Sequence, residues 1–307
     1  MRDTFVKTLI EQAKQDKSIE LVTGDLGFGV LKPFWEQFPD QFTNAGIAEQ
    51  NMTAMAAGMA MEGKNVFIYS IGNFPTLRCL EQIRNDCAYH RANVKIVCIG
   101  AGFAYGPLGM SHQATEDIAV MRALPDVVVM SPGDAEEARA CTKALTEYNG
   151  TAYLRLGRGG EPAIHETIGG FEIGKALRVW DGDRAAIFST GAFFDEVRLA
   201  YSLLTEKGCH PAVYSFPTIK PIDRELIEAI SRDFELIVTC EEHQASGGFG
   251  SAVAEVMAEM KHKKAHLKRI AIPDAFCSLV GTQKYLREQF GIDGKAIAAA
   301  IERALNG

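Results

Sequence analysis

The chain has 307 residues, 47% of them apolar and 23% charged, and a net charge of −7, as in ordinary globular proteins. It is long enough for two α/β domains, each with its own core, and no apolar run reaches the ~20 residues that a membrane span needs. The acidic balance argues against nucleic acid or an anionic membrane as a partner. Seven scattered Cys without a CxxC pair predict reduced thiols and a cytoplasmic protein.

Helix and strand patterns alternate along the first half of the chain. Strands rich in Val and Ile between helices are typical of a parallel sheet covered on both faces. The predicted helices of this half are residues 4–17, 48–61, 76–89, 117–123 and 134–148. Its predicted strands are residues 19–23, 65–69, 94–99, 127–130 and 152–156.

A glycine-rich segment, residues 157–170, is the best candidate linker, because it holds five Gly and one Pro. The alternation then resumes. The predicted strands are residues 185–189, 212–215, 235–240 and 267–270, and the predicted helices are residues 193–207, 223–231, 250–260 and 294–305. We therefore predict two doubly wound α/β domains with mostly parallel sheets, residues 1–165 and 166–307.

The most informative segment is Gly-Ile-Ala-Glu-Gln, residues 46–50, at the start of a helix of small and apolar residues. A Glu in a first helical turn is ordinarily solvated and favoured by the helix dipole. The neighbours of Glu49 instead predict a helix that is buried all round. A buried carboxyl needs a partner and holds its proton more readily than an exposed one, so Glu49 is a candidate catalytic residue.

A second candidate lies in the loop Gly-Pro-Leu-Gly-Met-Ser-His-Gln, residues 106–113, between a strand and a helix. Loops at the carboxyl ends of parallel strands are where α/β folds build sites. A neutral imidazole such as that of His112 can both donate and accept a hydrogen bond. The plainer alternative is that His112 caps a helix beginning near Ala114.

Together these two segments resemble the pyrimidine-binding half of a transketolase, and the resemblance covers nearly the whole chain. It implies a pyrimidine-binding domain followed by a transketolase C-terminal domain, with thiamine diphosphate as cofactor. In that family the Glu matched by Glu49 hydrogen-bonds the aminopyrimidine ring and favours its imino tautomer. The His matched by His112 bonds the donor's oxygen next to the reacting carbon.

The resemblance also assigns cofactor contacts to two strand ends. Asp25 and Leu26 follow the first strand, where the family has an acid close to the thiazolium, although a strand-end Asp most often caps a turn. Phe74 matches the second of two aromatics that grip the aminopyrimidine. Ile71 stands in place of the first, so stacking there gives way to apolar contact. Core packing is the alternative for Phe74.

Four positions concern the substrates. Arg158 and Arg2 resemble the family's phosphate-binding arginines, with surface solubility as the alternative for both and a frayed terminus for Arg2. Leu108 stands where the family has an Asp that bonds an acceptor hydroxyl, and Gly100 where transketolases have another His. Because both changes remove hydroxyl recognition, we expect an unusual or modified sugar acceptor.

Nothing in the sequence resembles the Gly-Asp-Gly motif that holds magnesium and diphosphate in the family, and no cluster has metal-ligand spacing. The resemblance therefore implies the second subunit of a split transketolase. Its partner would bring the missing domain and hold Mg²⁺ (or Ca²⁺), with the cofactor between the two chains. A shared site predicts a symmetric α2β2 heterotetramer.

Three other interpretations stay open: the beta subunit of a 2-oxo-acid dehydrogenase, a deoxyxylulose-phosphate synthase fragment, and a non-catalytic scaffold. The Gly-Met-Ser-His-Gln segment at 109–113 favours a ketol transferase over the dehydrogenase. Leu108 argues against the synthase, which keeps an Asp there. Ile71, Leu108 and Gly100 fit a decayed site. The retention of Glu49, Asp25 and His112 argues for a working one.

Overall fold

The computed structural model describes residues 1–306. Its strands are β1 Ile19–Thr23, β2 Phe42–Asn44, β3 Asn65–Ile71, β4 Val94–Ile99, β5 Val128–Met130, β6 Ala152–Leu156, β7 Leu177–Trp180, β8 Ala185–Ser189, β9 Ala212–Ser215, β10 Thr218–Lys220, β11 Leu236–Gln244 and β12 His266–Ile272. Its helices are α1 Arg2–Ala13, α2 Phe28–Gln37, α3 Glu49–Met61, α4 Leu80–Gln82, α5 Asp117–Ala123, α6 Ala135–Glu147, α7 Phe194–Thr205, α8 Arg224–Asp233, α9 Phe249–Glu259, α10 Gln283–Gln289 and α11 Gly294–Asn306. A π-helical segment, Ile83–Ala88, follows α4, and 3₁₀ turns lie at Pro39–Gln41, Gly106–Leu108 and Met110–His112.

The strands form two mostly parallel sheets. The first has the order β10-β5-β6-β4-β3-β1-β2, and the second has the order β12-β11-β8-β9-β7. At one edge of each sheet a strand runs antiparallel to its neighbour, β10 against β5 and β7 against β9. The predicted α/β architecture is confirmed. Every helix within residues 1–306 is too short or too polar to cross a membrane.

Three groups of buried apolar residues fill the space around the sheets. One, with Phe5, lies under α1, α2 and α6 on one face of the first sheet. Another, with Phe194, lies under α7 and α11 on one face of the second sheet. The third joins residues of both halves, among them Ile96 and Phe249, in a layer between the sheets. Each sheet thus has one core of its own, and the central layer is a further one to which both halves contribute.

Five elements escaped the sequence analysis: α2, α10, β2, β7 and β10. Pro33 lies inside α2, where it ordinarily argues against a helix. Strands β2 and β10 have three residues each, too few for an alternating pattern to show. The other predicted elements coincide with observed ones apart from shifts at their ends, with one exception.

That exception is the predicted helix at residues 76–89, which is a turn followed by α4 and the π-helical segment. Thr76 Oγ1 donates to the Gly72 carbonyl at 2.8 Å, and Cys79 Sγ donates to the Phe74 carbonyl at 3.4 Å. These side-chain bonds tie the turn at residues 72–79 to the residues just after β3. Because the segment is not a regular helix, Arg78 takes a position that helical periodicity does not predict.

Candidate active site

The candidate residues lie at the carboxyl edge of the first sheet. Strand β1 ends just before Asp25, β3 ends before Phe74, and β4 ends before the loop that carries His112. These three strands are parallel, with β3 between β1 and β4, so their carboxyl ends meet at the same edge. Glu49 reaches the edge from the start of α3.

Glu49 is nearly buried, with 4% of its surface exposed. Its carboxylate has a partner that the sequence analysis did not name, since Arg78 Nη1 donates to Glu49 Oε2 at 2.6 Å. The Arg78 side chain is about half exposed, at 48%. A buried carboxylate is stabilised by such a donor, and the pair forms the inner end of the candidate site.

Helix α3 itself is not buried all round, so that prediction is wrong. Asn51, Ala54 and Gly58 are exposed on one of its faces, and Met61 at its end is 56% exposed. Small and apolar residues around a helix indicate which faces are able to pack, but they do not show what packs there. Within residues 1–306, this face of α3 lies open to solvent.

Phe74 lies between Arg78 and His112. The Arg78 guanidinium carbon is 4.9 Å from the centroid of the Phe74 ring, and the His112 ring meets that ring edge-on at 5.3 Å between centroids. Cation–π and edge-to-face contacts of this kind each contribute about 0.5–1.5 kcal/mol. Glu49, Arg78, Phe74 and His112 therefore form a row, called here the Glu49–His112 row, in which each side chain touches the next.

Two loops are packed tightly to hold this row. Asn73 Nδ2 donates to the Gln113 carbonyl, which ties the Phe74 loop to the His112 loop. A Cβ added at Gly72 would lie 2.8 Å from the Ala114 Cβ, closer than real Cβ atoms approach, so glycine at this position permits the contact. Phe74 and His112 are thereby kept within reach of one another.

The His112 ring is half-buried, and its Nδ1 atom exchanges a hydrogen bond with Ser111 Oγ at 3.0 Å. The next helix, α5, begins at Asp117 with Glu116 before it. The alternative in which His112 caps a helix near Ala114 is therefore wrong. Its remaining ring nitrogen, Nε2, can serve a ligand as either donor or acceptor.

A buried ion pair between Arg155 and Asp117 holds the end of the loop that carries His112. Arg155 Nε donates to Asp117 Oδ2 at 2.6 Å, and Arg155 Nη2 donates to the carbonyls of Ala114 at 2.8 Å and Glu242 at 3.0 Å. Burial alone would raise the pKa of the Asp117 carboxyl, but Arg155 beside it holds that pKa below its ordinary value. Since Glu242 belongs to β11 of the second sheet, both halves of the chain position this loop.

Asp25 and Leu26 follow the end of β1. Asp25 is exposed, has a positive φ of 57°, and accepts a hydrogen bond from Asn44 Nδ2 at 3.0 Å. Its own N–H donates to Asn44 Oδ1, also at 3.0 Å. The Leu26 carbonyl accepts from Thr23 Oγ1 at 3.1 Å. Asp25 thus stabilises a turn and also presents a carboxylate oxygen at the sheet edge.

The two candidate phosphate ligands belong to segments that meet at Glu161. The Met1 amine donates to Glu161 Oε2 at 3.0 Å, and the Gly159 N–H donates to Glu161 Oε1 at 2.8 Å. This contact joins the start of α1, which carries Arg2, to the loop that carries Arg158. Because Met1 is buried and paired, the frayed-terminus alternative for Arg2 is wrong.

Tyr105 connects the remaining candidate positions. Its ring centroid is 5.5 Å from the Arg158 guanidinium carbon. Gly100 has a φ of 95°, and a Cβ there would lie 2.2 Å from Tyr105 Cδ2, so a His at position 100 would require Tyr105 to move. The neighbour of Leu108 in the same loop, Gly109, lies close to Val280, since an added Cβ there would be 3.8 Å from Val280 Cγ2. Leu108 itself is 56% exposed. The loop thus presents an apolar side chain.

Sequence reasoning missed Arg78 and Tyr105 as members of the site. Arg78 gave no periodic signal, because it lies in a turn before α4 and not on a helix. Tyr105 gave no signal either. Within residues 1–306, no group of three or more His, Cys, Asp and Glu side chains is arranged to hold a metal ion.

Comparison with known families identifies both halves of the chain. The family model described as "Transketolase, pyrimidine binding domain" matches residues 1–161, and the one described as "Transketolase, C-terminal domain" matches residues 174–297. The chain belongs to the transketolase family. The resemblance inferred from the segments around Glu49 and His112 is confirmed, and the match lies in the C-terminal part of the transketolase plan.

Other proteins are similar to this chain over nearly its whole length and theirs. A putative transketolase C-terminal section from Methanocaldococcus jannaschii is 41% identical over 304 residues, 98% of this chain and 95% of that protein. A subunit of apulose-4-phosphate transketolase from Phocaeicola vulgatus is 36% identical over 298 residues, 96% of this chain and 94% of that protein. A solved structure described as "Split gene transketolase, inactive beta4 tetramer" is 34% identical, with a TM-score of 0.88 over 99% of this chain and 97% of that one.

Proposed function

We propose that this chain is the C-terminal subunit of a split, thiamine diphosphate-dependent transketolase. The enzyme would transfer a two-carbon ketol unit from a ketose or ketose phosphate donor to an aldose acceptor. The observation that carries the proposal is the nearly buried Glu49 carboxylate, which Arg78 links to the Phe74 ring, at the sheet edge that also holds His112. The full-length similarity to a C-terminal section and to one subunit of a transketolase supports division of the enzyme between two chains.

The residues of the row fit the aminopyrimidine half of the cofactor. The space beside Glu49 and close to Phe74 already accommodates a flat group with N–H donors, the Arg78 guanidinium. When bound, thiamine diphosphate supplies a nucleophilic thiazolium carbon that breaks and forms carbon–carbon bonds next to a carbonyl. In the proposal Glu49 holds a proton at a ring nitrogen, Phe74 and Ile71 contact the ring, and Asp25 with Leu26 lies on the thiazolium side.

His112 serves the substrate. Its imidazole donates to, or accepts from, the donor oxygen next to the reacting carbon, which suits an oxygen whose protonation changes during addition to a carbonyl. Arg158 and Arg2 anchor a phosphate from two segments joined at Glu161. The exposed Leu108 side chain offers no partner to an acceptor hydroxyl, which supports an unusual or modified sugar acceptor.

The partner subunit supplies what this chain does not. In the proposal it carries the Gly-Asp-Gly motif, holds Mg²⁺ (or Ca²⁺) and the diphosphate, and assembles with this chain as an α2β2 heterotetramer. Residues 1–165 form the pyrimidine-binding domain and residues 166–307 the C-terminal domain. The open face of α3 beside Glu49 supports contact with another chain there.

The first experiment is native mass spectrometry of the tagged chain purified from its own host with thiamine diphosphate and magnesium. We expect two copies each of this chain and of a chain carrying Gly-Asp-Gly, with bound cofactor. A homo-oligomer without cofactor under those conditions would contradict the proposal and favour the scaffold interpretation. The acceptor is tested with the assembled enzyme, since ordinary turnover of xylulose 5-phosphate and ribose 5-phosphate would contradict an unusual acceptor.

A further inference from the structure

Arg78 occupies the place where the proposed function requires a ligand. Its Nη1 atom is 2.6 Å from Glu49 Oε2, and its guanidinium carbon is 4.9 Å from the Phe74 ring centroid. A guanidinium and an aminopyrimidine both suit this position. Both are flat, both carry N–H donors, and both can lie beside an aromatic ring. Both groups use the same carboxylate and the same ring.

The two occupants require different states of Glu49. Arg78 is always charged and pairs with an ionised carboxylate. A ring nitrogen that accepts a hydrogen bond from Glu49 requires the protonated acid instead. A Glu49 that shares its proton with a ring nitrogen is a weaker partner for Arg78, and both groups need the space beside Glu49 and Phe74, so the two contacts compete.

Arg78 is able to leave. Its side chain is 48% exposed, and it lies in the turn before α4 rather than within a regular helix. Departure breaks one ion pair and one cation–π contact and requires no backbone hydrogen bond to be broken. Contacts of this kind at half-exposed sites together correspond to roughly a 3- to 30-fold change in an equilibrium constant.

We propose that Arg78 is a placeholder, an autoinhibitory side chain that occupies the aminopyrimidine site through Glu49 and Phe74 and must be displaced by the cofactor. This inference rests on the proposed function. It assigns Arg78 a role opposite to that of a cofactor ligand, since it weakens cofactor binding while keeping the buried carboxylate paired until the cofactor arrives. Removing the guanidinium therefore tightens cofactor binding.

The test compares variants of the complex formed with the co-purified partner, freed of cofactor. Arg78→Met removes the guanidinium and keeps an unbranched chain, and Arg78→Lys keeps the charge without the planar fork. Arg84→Met is the matched control, because Arg84 is an exposed arginine whose bond goes to Asn85 Oδ1 at 2.7 Å. Titration calorimetry measures the dissociation constant of thiamine diphosphate for each.

We expect Arg78→Met to bind thiamine diphosphate roughly 3- to 30-fold more tightly than the wild type, with Arg78→Lys between them and Arg84→Met unchanged. The difference in thiamine diphosphate affinity between the wild type and Arg78→Met should shrink at high salt, because salt screens a half-exposed ion pair. Equal or weaker binding by Arg78→Met, with binding by the wild type intact, overturns the placeholder and leaves the proposed function standing. Absence of binding by every form overturns the proposed function and the placeholder together.

A second readout needs neither cofactor nor partner. Thermal unfolding of the chain alone is measured for Glu49→Gln, Arg78→Met and the double variant. If the pair forms as described, the two substitutions together shift the melting temperature by less than the sum of their separate shifts. Additive shifts show that the pair is not formed and overturn the inference even if cofactor affinity changes.

Discussion

Lys95 is a buried cation without a carboxylate partner among residues 1–306, and this makes the stability of the fold depend on pH. Its side chain on β4 is fully buried, and its Nζ atom donates to the Gly150 carbonyl at 3.0 Å and to Asn93 Oδ1. The centroid of the Tyr148 ring lies 5.7 Å from the Lys95 Nζ atom. Burial lowers the pKa of Lys95 to about 7, whereas an unfolded lysine has a pKa of about 10.4.

The sign follows from proton binding. Between those two pKa values the unfolded chain binds more protons at this position than the folded chain, so the free energy of unfolding rises with pH. The limiting slope is about 1.4 kcal/mol per pH unit. Between pH 7 and pH 9 the wild type should therefore gain about 1–3 kcal/mol relative to Lys95→Met, which has no proton to lose.

Urea unfolding of the isolated chain at half-unit steps from pH 6.5 to pH 9 measures this difference. The change in the free energy of unfolding with pH is informative, whereas its value at a single pH is not. The reason is that Lys95→Met also leaves the Gly150 carbonyl without its donor, at a cost of about 1–3 kcal/mol. Lys143→Met is the control, since Lys143 is exposed on α6. A difference between wild type and Lys95→Met that stays flat across this range, as we expect for Lys143→Met, would refute the reasoning.

Three further predictions concern the site. Glu49→Gln should lower the turnover of the assembled complex by about 10²–10⁴-fold, and unchanged turnover would exclude Glu49 as the activating group. Leu108→Asp should restore acceptor hydroxyl recognition and raise kcat/KM for ordinary aldose phosphates relative to the natural acceptor; a uniform loss for all acceptors would count against a role in selection. Arg155→Met should lower the free energy of unfolding, measured in urea, by about 3–5 kcal/mol, because it leaves the buried Asp117 carboxylate with the Tyr153 hydroxyl but without a cation. A loss under about 1 kcal/mol would show that the pair is dispensable.

The sequence predicted the features that depend on residue type over long stretches. Val- and Ile-rich strands between helices gave the two sheets, and the apolar neighbours of Glu49 indicated its burial. The contact between Arg78 and Glu49 was out of reach, because Arg78 lies in a turn before α4, where helical periodicity does not place side chains. The open face of α3 was also out of reach, since small residues indicate a packing surface without showing whether this chain fills it.

Strand β10 and the central apolar layer limit how the gene can be divided. Residues 218–220 form the outermost strand of the first sheet and pair with β5, and the layer between the sheets takes side chains from both halves. A fragment ending near residue 165 would leave the β5 edge unpaired and an apolar surface uncovered, which favours aggregation over folding. Truncation or recombination within the glycine-rich segment should therefore fail, and an N-terminal fusion would remove the buried Met1 amine that Glu161 binds.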